Sequence, residues 1–150
     1  KDIGAKIIYI STDYVFDGTK EGIYEVNDKA NPINHYGETK WLGEEIVRNY
    51  ENHIITRISW VFGINGKNFI KTMLKLAETK SELGVVCDQI GSPTYTEDLS
   101  KLLIDMAISE KTGTYHATNE GYCSWYEFAC EIFKQAGMER LHFTKSHICF

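Results

Sequence analysis

Short runs rich in β-branched residues alternate along this chain with longer stretches of helical periodicity. The strand-like runs are 5–11, 53–63, 82–89 and 113–119. Apolar residues recur at helical spacing over 34–50, 67–80, 96–110 and 124–137. Because each strand is followed by a helix, the pattern predicts an α/β fold built on a mostly parallel sheet.

The first run, AKIIYIS at 5–11, is almost continuously apolar. Such a run predicts a strand that is buried on both faces of a parallel sheet. In the helix that follows, over 34–50, the spacing of the bulky apolar residues predicts that Glu44 and Glu45 point outward.

Local signals mark the ends of two later helices. Thr96 is the predicted N-cap of the helix over 96–110. Ser124 with Glu127 three residues later predicts a capping box, and Gly137 predicts the end of that helix. The sequence after Gly137 supports no assignment.

Composition narrows the classes of function. The chain has 150 residues, 43% of them hydrophobic and 25% charged, as expected for one ordinary globular domain. Its net charge is −5, and no run of Lys or Arg exceeds a pair, which argues against nucleic-acid or membrane partners. The 4 cysteines form no C-x-x-C pair and offer no metal-ligand spacing, so reduced thiols in a cytoplasmic protein are expected.

Tyr36 and Lys40 stand four residues apart in the segment HYGETKW. On a helix their side chains leave the same face one turn apart. A cation beside a phenol favours the phenolate, which makes the phenol usable as an acid or base. The alternative is an exposed helix pair without function.

A second polar group, the segment STD at 11–13, follows the first predicted strand. Ligands of open parallel sheets bind at the carboxyl ends of the strands, so these side chains are candidate site residues. The alternative interpretation is a turn or a helix N-cap.

Together these features resemble the active-site layout of the extended short-chain dehydrogenase/reductases. Five blocks are similar, in order, to dTDP-4-dehydrorhamnose reductases: ISTDYVFDG, NPINHYGETKWLGE, TRISWVFG, GKNFIKTML and VVCDQIGSPTY. The resemblance implies a Rossmann-like doubly wound parallel sheet and NADPH-dependent reduction of the 4-keto group of dTDP-4-dehydro-L-rhamnose. It also implies a cytoplasmic enzyme of surface-polysaccharide biosynthesis that takes a dTDP-sugar and is compatible with a homodimer.

The resemblance also implies roles for individual residues. Tyr36 would protonate the C4 oxygen, Lys40 would support it and hold the nicotinamide ribose, and Thr12 would hydrogen-bond the same oxygen. The implied substrate-binding residues are Asp13, Tyr14, Trp60, Asn68, Phe69, Asp88 and Gln89. For several of these an ordinary alternative stays open: a core indole for Trp60, a helix cap for Asn68, a core ring for Phe69 and loop polarity for Asp88 and Gln89.

Two departures from related patterns refine this interpretation. Asp13 is followed by Tyr14, whereas the related 4,6-dehydratases carry Asp-Glu there, so plain reduction is favoured over elimination of water. The segment GINGKN at 63–68 lacks the glycine spacing and the Ser or Thr of a P-loop.

No G-x-G-x-x-G motif occurs in the chain. The sequence is therefore expected to be the carboxyl-terminal part of such a reductase, a single partial domain lacking about four βα units, on the order of 100 residues. Residues 1–63 would form the catalytic end of the sheet and 64–150 mainly the sugar-nucleotide part.

Alone, the chain is expected to bind NADPH weakly and to reduce nothing. The preference for NADPH over NADH and any assistance by a divalent ion stay open. One alternative is a non-catalytic binding module of the same fold, such as the regulatory subunit of methionine adenosyltransferase, and another is a fragment without function.

Overall fold

The computed structural model describes residues 3–138 and 142–147. The strands are β1 Ile7–Thr12, β2 His53–Ile58, β3 Val61–Phe62, β4 Glu82–Val86, β5 Ile90–Gly91, β6 Thr94–Tyr95, β7 Gly113–His116, β8 Cys123–Ser124 and β9 His142–Ser146. The helices are α1 His35–Arg48, α2 Phe69–Ala77, α3 Thr96–Ile108 and α4 Trp125–Gln135. Each predicted helix and strand has a counterpart with ends shifted by a few residues, except that the run over 53–63 forms two strands. No helix within the described residues is long and apolar enough to cross a membrane.

The chain divides into two compact units. The first comprises the residues up to Ser59 together with Glu97–Thr118, and the second comprises Trp60–Thr96 and the residues from Asn119 onward. Glu97–Thr118 belongs to the first unit because it carries β7, which pairs with β2.

The first unit is built on a parallel sheet with the strand order β1-β2-β7. Thr12 lies opposite Ile58, and Arg57 lies opposite His116. α1 carries the chain back from the end of β1 to the start of β2, as parallel pairing requires. The predicted α/β fold with parallel strands is therefore confirmed, and Thr12 lies at the carboxyl edge of the sheet.

Two glycines allow α1 to pack closely against β1 and the turn after it. A Cβ on Gly37 would stand 2.1 Å from the carbonyl oxygen of Tyr14, and one on Gly43 would stand 2.1 Å from Tyr9 Oη. Asn34 caps the helix, since its Oδ1 accepts the backbone N–H of Gly37 at 2.8 Å. The first turn of α1 is thus fixed beside the end of β1.

The prediction that the first strand is fully buried is wrong. Ile7 is 40% exposed and Ile10 is 41% exposed, whereas Ser11 and Thr12 at the strand's end are buried. Among the described residues, β1 is an edge strand whose one neighbouring strand is β2. A strand at the edge of a sheet is covered less completely than a central one, so part of its apolar surface stays exposed.

The outward orientation expected for both glutamates of α1 is correct for Glu45 alone. Glu45 is exposed, but Glu44 is completely buried. The physical reason is Arg57 on β2, whose guanidinium reaches the Glu44 carboxylate at 2.8 Å. A buried partner of opposite charge makes the burial of this carboxylate tolerable.

The described residues of the second unit form three strand pairs and two helices. β3 pairs with β6 and β4 with β9 in parallel, and β5 pairs with β8 in an antiparallel manner. β9 lies in the sequence after Gly137, which the sequence alone left unassigned. The core of this unit is formed by α2, α4 and β4 through Met73, Val85, Ala129, Ile132 and Phe133.

The predicted cap signals occur in the structure with one small shift. Ser124 and Glu127 form the expected capping box at the start of α4. Gly137 follows the end of that helix with φ 67°, a conformation that favours glycine. Thr96, predicted as an N-cap, is instead the first residue of α3.

The run predicted as one strand over 53–63 is broken at Trp60. β2 ends at Ile58, and the chain resumes extended pairing as β3 only at Val61. Trp60 has φ 48°, in the left-handed region that a bulky side chain rarely adopts. A strand cannot continue through such a residue, so the single predicted strand is corrected to two.

Candidate active site

The end of β1 and the turn after it carry three of the predicted site residues. Thr12 is buried, and its Oγ1 donates to Asp13 Oδ1 at 2.9 Å. The same oxygen accepts the backbone N–H of Tyr14 at 3.3 Å and thereby caps a short 3-10 helix, Asp13–Val15. Thr12 is therefore a helix N-cap, as the alternative interpretation expected, and its hydroxyl proton is donated to Asp13.

Asp13 has an altered acidity. Burial raises the pKa of its carboxyl above the ordinary value, and the hydrogen bond from Thr12 opposes that shift to a smaller extent. The neutral carboxyl consequently persists to a higher pH than in an exposed aspartate. A carboxyl of this kind beside a candidate substrate-binding hydroxyl is a common feature of functional sites.

Tyr36 and Lys40 lie one turn apart on α1. Tyr36 is 55% exposed, and its ring meets that of Tyr14 edge-on with centroids 5.8 Å apart. Lys40 Nζ donates to the carbonyl of Ile10 at 2.5 Å and lies 4.4 Å from the centre of the Tyr9 ring. The phenol and the ammonium group therefore both belong to the helix that packs on the end of β1.

A buried ionic network joins the same helix to the sheet, and the sequence analysis missed it. Glu44 Oε1 accepts Ser11 Oγ at 2.5 Å and Arg57 Nε at 3.0 Å. Its Oε2 accepts Arg57 Nη2 at 2.8 Å and Arg48 Nη2 at 2.9 Å. One signal was available: Glu44 follows Lys40 by four residues and so shares the face of α1 that packs on β1.

In the second unit, Trp60 is half-buried and its indole has close neighbours. Its indole stacks on Trp125 with centroids 3.5 Å apart, and Phe69 lies 4.4 Å from the same Trp125 ring. A Cβ on Gly91 would come within 2.6 Å of the Trp60 indole. Two of the predicted substrate-binding residues, Trp60 and Phe69, thus share one aromatic neighbour.

The remaining predicted residues of this unit lie at loop positions. Asn68 caps α2, with its Oδ1 accepting Lys71 N at 3.0 Å and its Nδ2 donating to Gly63 O at 2.8 Å. Asp88 and Gln89 are exposed and follow β4. The capping alternative for Asn68 is therefore realised, while its contact with a substrate stays a prediction.

The predicted residues fall into two groups, one in each unit. The first unit brings five of them to the carboxyl end of β1, namely Thr12, Asp13, Tyr14, Tyr36 and Lys40. The second unit contains Trp60, Asn68, Phe69, Asp88 and Gln89. Among the described residues, no group of three or more His, Cys, Asp or Glu side chains is placed to hold a metal ion.

Parallel strands joined by a helix, with polar groups at the carboxyl end of the first strand, define the class as a Rossmann-like α/β fold. Residues 1–148 match the family model described as the RmlD substrate binding domain. The chain belongs to this family.

Relatives with solved structures agree closely in backbone. A dTDP-4-dehydrorhamnose reductase of Bacillus anthracis in complex with NADP is 42% identical, with a TM-score of 0.92, over 98% of this chain and 52% of that chain. A dTDP-glucose 4,6-dehydratase of the same organism is only 18% identical, with a TM-score of 0.78 over 95% of this chain and 50% of that one. The dehydratase shares the fold alone.

Two curated relatives are similar in sequence. A spore coat polysaccharide biosynthesis protein of Bacillus subtilis is 52% identical over 138 residues, which is 91% of this chain and 48% of the relative. A dTDP-4-dehydrorhamnose reductase of Aggregatibacter actinomycetemcomitans is 46% identical over 142 residues, 90% of this chain and 48% of the relative. The chain spans about half the length of the curated relatives it matches.

Proposed function

We propose that this chain provides the catalytic and sugar-binding groups of an NADPH-dependent dTDP-4-dehydrorhamnose reductase. The reaction is reduction of the 4-keto group of dTDP-4-dehydro-L-rhamnose to give dTDP-L-rhamnose. The observation that carries the proposal is the arrangement of Thr12 at the end of β1 with Tyr36 and Lys40 on the helix packed against it. Identities of 40–46% with reductases of that name support the choice of substrate.

Tyr36 is the proposed proton donor. Reduction of a ketone adds a hydride to C4 and a proton to the C4 oxygen, so an acid is needed at that oxygen. The phenol lies in the first turn of α1, is 55% exposed and is therefore accessible to a sugar. Lys40 follows one turn later on the same helix and is the residue proposed to assist Tyr36 in this role.

Thr12 is the proposed hydrogen-bond donor to the same oxygen. Negative charge develops on a carbonyl oxygen as hydride arrives, and a donor already in place stabilises that charge. The Thr12 proton is directed at Asp13 at 2.9 Å, so donation to a substrate requires this bond to be exchanged.

The residues present fit the nicotinamide end of the cofactor. An exposed phenol and a cation on one helix face offer the donors that a ribose needs, and Tyr36 and Lys40 are the residues proposed to hold it. NADPH, when bound, supplies the hydride. The sequence contains no glycine-rich pyrophosphate turn, so no further cofactor contacts are assigned to these residues.

The sugar nucleotide is proposed to use the second group of residues. Trp60 presents an indole whose position is limited by Trp125 and Gly91, and a fixed aromatic face suits packing against a sugar ring. Asp88 and Gln89 offer exposed polar groups after β4 for hydrogen bonds to sugar or nucleotide. The contribution of each is measurable as a change in KM.

The test is a comparison of two Tyr→Phe variants of the complete natural protein in which these residues occur. NADPH oxidation is followed with dTDP-4-dehydro-L-rhamnose as substrate. Tyr36→Phe should lower kcat by about 10²–10⁴-fold, the usual contribution of a positioned general acid. Tyr50→Phe is the matched control, because its hydroxyl donates to the Ala5 carbonyl at 2.7 Å, away from the proposed donors.

The two variants separate the catalytic interpretation from the alternative of a binding module. The control should retain kcat within a few-fold of the parent. A folded Tyr36→Phe protein that matches the parent in kcat would exclude the phenol as the acid. If the parent protein shows no turnover of this substrate, the proposed reaction is wrong.

A further inference from the structure

We infer that Glu44 is a positioning residue, whose buried carboxylate ties Ser11 to α1 and thereby sets Thr12 relative to Tyr36 and Lys40. The roles of the last three residues rest on the function proposed above. Glu44 itself is completely buried and so reaches neither a sugar nor a cofactor directly. Its effect on a reaction can only be transmitted through the groups it holds.

Three consecutive residues of β1 are fixed to one face of α1. The Tyr9 phenol packs directly against Gly43, where any side chain on residue 43 would clash with it. The Ile10 carbonyl accepts a hydrogen bond from the Lys40 ammonium group at 2.5 Å. Ser11 donates its hydroxyl to Glu44 at 2.5 Å. The next residue of the strand is Thr12, so its place relative to α1 follows from this series of contacts.

The Ser11 to Glu44 bond is the last of these contacts before the catalytic threonine. Ser11 is 2% exposed, so water does not substitute easily for its partner. Tyr36 lies eight residues before Glu44 on the same helix, α1. A short bond between Ser11 and Glu44 therefore connects the two elements that carry the proposed donors.

Arg57 on β2 determines where the Glu44 carboxylate can point. It binds both carboxylate oxygens, at 3.0 and 2.8 Å, and so holds the carboxylate toward β2. Arg48 lies on α1 itself and adds a contact to Glu44 Oε2 at 2.9 Å from the helix side.

The experiment removes one hydrogen bond from each side of the same carboxylate in the complete natural protein. Ser11→Ala deletes the link to β1 and leaves Glu44 paired with Arg57. Arg48→Gln deletes the outer contact and leaves the link to β1. For each variant, kcat and KM with the keto sugar, the unfolding temperature and amide hydrogen exchange of residues 12–14 are measured.

A positioning role predicts different results for the two variants. Ser11→Ala should lower kcat on the order of 10-fold with KM nearly unchanged, since small misplacements of reacting groups are costly. It should also speed exchange of the Tyr14 amide, which donates to Thr12 Oγ1. Arg48→Gln should lower the unfolding temperature while kcat and that exchange stay within twofold of the parent.

Two outcomes would overturn the inference. One is a Ser11→Ala protein with unchanged kcat and unchanged exchange at residues 12–14. The other is loss of kcat in both variants in proportion to their unfolding temperatures, which would make the network purely structural. If the parent does not reduce the keto sugar, the proposed function fails, and the exchange comparison still decides whether Glu44 positions the turn at Thr12.

Discussion

Gly91 lies so close to Trp60 that no side chain fits between them: an added Cβ would stand 2.6 Å from the indole Cε2 and 2.9 Å from Nε1. Trp60 is also held by Trp125, on which it stacks, and by a left-handed backbone with φ 48°. Such strain persists where surrounding contacts enforce it, and it is common at functional sites. Gly91 is one of the contacts that determine where this indole lies.

Gly91→Ala should therefore displace Trp60 and destabilise the protein by about 1–3 kcal/mol, the usual cost of overpacking. Loss of the close Trp60–Trp125 stack should reduce the near-ultraviolet circular dichroism signal, and KM for the dTDP-sugar should rise. Gly84→Ala is the matched control, because a Cβ there meets its nearest atom only at 3.7 Å. Equal behaviour of the two variants would show that Gly91 does not constrain Trp60.

Glu44→Gln should destabilise the protein by roughly 3–5 kcal/mol, because it leaves the guanidinium of Arg57 buried without a negative partner. Arg57 is 2% exposed and cannot turn to water without moving the strand. The measurement is the free energy of unfolding from urea denaturation. Glu45→Gln is the control: its carboxylate is exposed and lies 3.4 Å from Arg48, so about 1 kcal/mol or less is expected.

Asp13 should make stability depend on pH in a direction opposite to that of a salt-bridged aspartate. Burial raises its folded-state pKa above the ordinary value of 3.8, so folding favours the protonated form. This contribution is fully present below the unfolded-state pKa and is lost as pH rises through the folded-state pKa. The stability of Asp13→Asn relative to the parent should therefore increase as pH rises above 3.8.

Unfolding free energies of both proteins between about pH 3 and 7 test this expectation. Asn offers an amide oxygen to Thr12 in place of the carboxyl oxygen, so the Thr12 contact has a near equivalent. A difference that stays constant across the range would mean that Asp13 has the same pKa folded and unfolded.

The 150-residue chain expressed by itself should oxidise no NADPH with the keto sugar and should bind NADPH weakly. The reason is the lack of a glycine-rich turn for the pyrophosphate in these residues. Ile7 and Ile10 on β1 are also partly exposed. The complete natural protein, assayed in parallel, provides the positive control. Turnover by the 150 residues alone would contradict the prediction.

Sequence patterns located the helices well because their signals are local. The capping box of α4 lies within four residues, from Ser124 to Glu127, and its geometry follows from those residues alone. Asn34 likewise caps α1 through a contact only three residues away. The strands were harder to delimit: the run over 53–63 has a continuous strand composition, yet Trp60 interrupts it.

The spacing of Tyr36 and Lys40, the hydroxyl of Thr12 at a strand end and the α/β alternation could all be derived from the sequence, because each depends on residues close together in the chain. Tertiary structure alone decided that Glu44 is buried against Arg57 and that Trp60 is strained. Glu44 meets Arg57 across 13 positions, and Trp60 meets Trp125 across a still longer separation. Such contacts arise only when distant segments pack, and no local periodicity encodes them.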